Sequence, residues 1–160
     1  MPSSAKTPTS KRVKLRGEAR EVVLGEAQAV LAMVTDEERR SRLASLVAAV
    51  DEGEIGEEDA QAAEELLELG LQTGRVRALY GPGGEQAALR VYRQLPRGKQ
   101  AGEAAREVTQ ALASLEGATL ESIGIQAVGP AAFVLSLNAG GAELSVRLDR
   151  QGARLTSVGI

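Results

Sequence analysis

The sequence predicts an α+β fold: an N-terminal helical region followed by a helix packed on a four-stranded antiparallel meander. Three observations predict it. Apolar residues recur at helical spacing as far as about Leu115, their period changes to two from Ile123 onward, and the period-two stretches are separated by short glycine-bearing turns that pair neighbouring strands antiparallel. On this reading residues 1–16 form a disordered basic tail, 17–98 the helical region, and 99–160 the helix plus sheet.

Residues 1–16 carry Pro2, Pro8 and several hydroxyl residues with no apolar period, and Lys11, Arg12, Lys14 and Arg16 have no acidic neighbour before Glu18. A first helix is predicted from Glu18 to Val34, with Val23, Ala27, Val30, Leu31 and Val34 on one face. Thr35 is the expected N-cap of a second helix, with Glu38 completing a capping box. Leu43, Leu46, Val47 and Val50 form its stripe. A third helix follows Ile55, runs to about Thr73 and stops at Gly74.

Gly81-Pro82-Gly83-Gly84 breaks the chain again, because glycine permits positive φ and proline cannot continue a hydrogen-bonded ladder. From Glu85 the residues Ala88, Val91, Tyr92 and Leu95 mark another helical face, closed by Pro96. A further helix spans about Gln100 to Leu115 with a stripe of Ala101, Ala104, Ala105, Val108, Leu112 and Leu115. Four strands complete the chain, carrying Ile123, Ile125 and Ala127, then Phe133, Leu135 and Leu137, then Leu144, Val146 and Leu148, and finally Leu155 to Ile160. Glu143, Ser145, Arg147 and Asp149 alternate with the third set, so one face of the sheet is covered and the other is wetter. Phe133, the only phenylalanine, is expected to be buried between sheet and helix.

Composition narrows the chemistry. The 160 residues include no histidine and no cysteine, which removes disulfides, thiolate metal sites, Ser-His-Asp triads and histidine-ligated metals. Catalysis would rest on carboxylates, hydroxyls, Tyr80, Tyr92 or Lys99, so the chain reads as more a non-enzyme than an enzyme, with no cofactor and no metal. The acidic turn Asp51–Asp59 does not make a calcium loop: placing Gly53 at the sixth loop position puts Ala48 and Val50 where oxygen ligands are required. No apolar run approaches the ~20 residues of a membrane span, and no secretory signal is evident. A cytoplasmic location is expected.

Charge is blocked along the chain. From Glu21 to Thr73 fourteen acidic residues face three arginines, a net of −11, whereas Gly74 to Lys99 has six cationic groups against Glu85 alone. The candidate anion or partner site is therefore Arg75, Arg77, Gly83, Gly84, Arg90 and Arg93, where backbone N–H groups at a glycine-rich helix entry could hold an anion. The spacing matches neither the Walker loop nor the dinucleotide fingerprint, and a plain turn between helices explains the same residues.

The leading functional expectation is a non-enzymatic interaction or scaffold module that binds another protein or itself. The alternatives are weak nucleic-acid binding through the basic tail and the Arg75–Lys99 segment, and a small-molecule pocket or catalytic site between the sheet and its helix.

Overall fold

The computed structural model describes residues 11–159, which divide into two compact units between Arg97 and Gly98. The order of elements in the first is β1 (Val13–Lys14), α1 (Glu18–Met33), α2 (Glu37–Glu52), β2 (Glu54–Ile55), α3 (Glu57–Gln72) and α4 (Arg75–Tyr92). α5 (Pro96–Ala113) leads into the second, followed by β3 (Leu120–Gly129), β4 (Ala132–Ala139), β5 (Ala142–Asp149) and β6 (Gly152–Gly159).

The first unit is closed by a short ribbon. Val13 pairs with Ile55 and Lys14 with Glu54, antiparallel, and the Leu15 N–H donates to the Gly53 carbonyl at 2.8 Å. Gly53 can accept there because its φ of 89° ends α2 in the left-handed conformation. Val13 and Leu15 are buried in the core, with Leu15 only 3% exposed. The expected basic tail is thus not a tail over Lys11–Arg16. Two apolar residues alternating with cations are enough for one edge of a ribbon, a pattern too short to register as a period. The remainder of that tail, residues 1–10, lies outside the described residues.

Helix boundaries follow capping chemistry. α2 starts one residue later than expected, because Asp36 rather than Thr35 is its N-cap, its carboxylate accepting from the Arg39 N–H at 2.8 Å. A full negative charge at the positive helix end favours that choice. α4 is interrupted at Gly81, whose φ of 71° and ψ of −174° are accessible to glycine alone, and helical backbone resumes at once at Pro82 rather than near Glu85. Pro96 likewise opens α5 instead of merely ending α4.

With little aromatic volume available, the first unit packs leucine, valine and alanine at close range. Leu46, Ile55, Leu67 and Leu95 are its largest fully buried side chains, and Ala27, Ala63 and Ala88 are wholly buried between them. One close approach is at Gly70 of α3, where an added Cβ would lie 2.8 Å from Val76 and 3.1 Å from Glu26 Oε2.

The second unit is a meander in the order β3-β4-β5-β6, all pairs antiparallel. Register places Ile123, Leu137, Leu144 and Val158 in one row across the sheet, Ile125, Leu135, Val146 and Leu155 in the next, and Ala127, Phe133, Leu148 and Ala153 in a third. All three rows stand on one face, since side chains alternate along each strand. α5 lays Val108 on this face over Leu144 and Val146, the three residues buried there, with Ala111 and Leu115 beside them. The stripe of α5 is narrower than its sequence suggests, because Ala105 is exposed and Leu112 remains 40% exposed.

Candidate functional site

The glycine-rich interruption of α4 is the first place where sequence points to a site. Gly81, Pro82, Gly83 and Gly84 lie where α1 passes, and a Cβ at Gly83 would come within 2.8 Å of Glu18 Oε1. Gly84 is buried against Tyr80 and Val22, so its missing side chain serves the close approach of α1 and α4. Arg77 bridges the interruption to Glu85, Nη1 donating to Oε2 at 2.8 Å. The turn therefore carries the carboxylates of Glu18 and Glu85 alongside its backbone.

Arg75 is committed elsewhere. Its guanidinium donates through Nε to Glu26 Oε2 at 3.0 Å and through Nη2 to the same oxygen. Glu26 is wholly buried, and its Oε1 has no hydrogen-bond partner among the described residues. Burial and the Glu26 charge together raise the Tyr80 hydroxyl above its ordinary pKa. Earlier along α3, Arg97 pairs with Glu64 and Glu68, while the Tyr92 hydroxyl donates to Glu68 Oε1 at 2.9 Å. Desolvation, followed by that hydrogen bond, pushes Tyr92 up to about 12.

Of the cationic candidates, Arg75 and Arg77 are thus ion-paired, as is Arg12 with Glu54. Lys11, Lys14, Arg16, Arg90 and Arg93 form no ion pair among the described residues. A hollow of about 20 Å³, the space of one water molecule, lies between α1, α2 and α3, with Val30, Leu43 and Leu66 on its floor and Arg39, Arg42 and Glu65 around it. No cluster of three or more acidic residues is arranged to hold a metal among the described residues. No helix there is long and apolar enough to cross a membrane.

The second unit carries the larger surface feature. β3 is exposed at every one of its ten positions. Leu120 is 53% exposed, Ile123 61%, Ile125 65% and Val128 46%, and Phe133 on the adjoining strand is 42% exposed. The expectation that Phe133 is buried fails here, although its register is right: it faces the apolar side opposite Ala127 and Leu148. The reason is dimensional. A helix is ~10 Å across, whereas four strands at about 4.8 Å spacing are roughly 19 Å wide, so α5 covers about half of the face. The uncovered half lies along β3.

That mismatch was available from sequence, since twelve apolar positions on four strands face one alanine-rich helix, but it emerges only from comparing widths. Glu26 could not have been found in the same way, because nothing local separates it from its solvated acidic neighbours.

No family model, curated protein or solved structure matches the chain.

Proposed function

We propose that the protein is a non-enzymatic interaction module whose docking surface is the uncovered apolar half of the sheet. The observation that carries this reading is the strip of Leu120, Ile123, Ile125 and Phe133, each more than 40% exposed. Its area is on the order of 400 Å², a size at which an exposed patch is often functional. The catalytic inventory points the same way, since the chain offers neither histidine nor cysteine, and the strongly paired groups Glu26–Arg75 and Glu64–Arg97 tie helices of the first unit together. Nucleic-acid binding draws less support, because Arg12, Arg75, Arg77 and Arg97 are all engaged by carboxylates.

The test is a photo-crosslinking residue placed at position 125 and activated in the native cell, with the same residue at the exposed position 40 of α2 as control. A discrete protein adduct from position 125 that is missing from position 40 is expected. Failure to form any such adduct at 125 or 123 sinks the reading.

A further inference from the structure

We infer that the occupant of this surface is a second copy of the chain, joined by antiparallel pairing of β3 with its two-fold-related counterpart. The inference rests on the reading of the strip as an interaction surface and adds the identity of what docks there.

Two features of β3 support self-pairing. It is an edge strand of ten residues, paired only with β4 among the described residues, so its outer edge presents unpaired N–H and C=O groups. Such edges are ordinarily blunted by lysine, proline or an inward charge, yet β3 contains no Lys, Arg or Pro and a single charge, Glu121.

Two-fold pairing also satisfies charge. An antiparallel dyad near Ile125 sets Glu121 of each copy against the far end of the other strand, so the only charge in β3 never opposes itself. The apolar residues Ile123, Ile125 and Ala127 fall opposite one another and bring the two uncovered strips side by side on one face of an eight-stranded sheet.

The experiment is sedimentation equilibrium of the full chain between about 1 and 100 µM, beside the double variant Ile123→Lys/Ile125→Lys. Both positions are exposed, so the variant should keep the circular dichroism spectrum and melting temperature of the parent. The expected result is a parent dimer and a variant whose mass is halved. A parent that stays monomeric at 100 µM overturns the inference, and so does a variant that stays dimeric. If the double variant unfolds, the absence of native cysteine allows single replacements Ile123→Cys, Ile125→Cys and Ala127→Cys: at least one should oxidise to a disulfide-linked dimer, since directly opposed Cα atoms lie within bridging distance, and failure of all three overturns self-pairing. A monomeric parent that crosslinks from position 125 to a different protein removes this inference and leaves the interaction reading in place, whereas no adduct at all removes both.

Discussion

The two units solve the burial problem differently. The first surrounds its core: four helices and a two-stranded ribbon enclose eighteen buried apolar residues, and its charged interior groups, Glu26 and Glu64, are held by Arg75 and Arg97. The second has a core cluster of three buried residues, Val108, Leu144 and Val146, beneath a single helix, and leaves Ile123, Ile125 and Phe133 in water. Both are built from small aliphatic side chains. The difference is therefore one of layers: helices on all sides of a core complete the first unit, whereas a sheet with one helix is a layered structure with half a layer unfilled. A finished core supplies stability, and an unfinished one leaves apolar surface in water.

This contrast can be broken at several points. The largest effect is expected from removing residues 1–16, which strips Val13, Leu15 and the Leu15–Gly53 hydrogen bond from the closed core. Loss of two buried aliphatic side chains should destabilise the first unit by roughly 3–5 kcal/mol, measured by denaturant unfolding. A truncated chain as stable as the parent would show that the ribbon is not part of the core.

Next in size is the buried ion pair. Arg75→Ala leaves the wholly buried Glu26 carboxylate without its cation and should cost about 3 kcal/mol, while Glu26→Met, similar in volume and apolar, should cost less than about 1.5 kcal/mol. Equal losses in the two variants would mean that packing alone, and not charge, holds α1 to α4.

In the open unit the corresponding cost should be small. Phe133→Ala removes a side chain that is 42% exposed, so the loss should stay near 1 kcal/mol instead of the ~3–5 typical of a buried phenylalanine. A large loss in dilute monomeric protein would mean that the sheet face is covered after all.

The smallest effect is spectroscopic. Tyr92 is raised to about 12 by desolvation and its bond to Glu68, and burial also raises Tyr80, so absorbance at 295 nm should show ionisation above the ordinary midpoint near 10. A raised folded-state value means that the stability each phenol contributes is complete below pH ~10 and is lost as pH rises through the folded-state value, near 12 for Tyr92. Titration of both tyrosines at the ordinary midpoint would contradict the packing of α4. In the second unit the opposite sign applies at Asp149, whose carboxyl is held below its ordinary value first by Arg147, then by the Gln151 N–H and Arg154.

Much of the fold was legible. Helical spacing through Leu95, the switch to period two and the glycine-bearing turns place every long element, because burial on one face writes its period into the chain. The ribbon was not legible, since β1 and β2 have two residues each and owe their existence to tertiary pairing. The candidate anion site was legible as a concentration of arginines, but the pairing of Arg75 was not, because Glu26 comes from a helix distant in sequence. Phe133 shows the general limit: alternation tells which face a side chain points to, and only the number of layers tells whether anything covers it.

The central claim, that the first unit is complete and the second is completed from outside, is tested most directly by hydrogen exchange of the full chain at low and high protein concentration. Amides of α1 to α4 should exchange at the same rates at about 1 and 100 µM, while those of β3, residues 120–129, should become protected at the higher concentration. Fast exchange of β3 at both concentrations, or concentration-dependent protection confined to the helices of the first unit, would contradict the account.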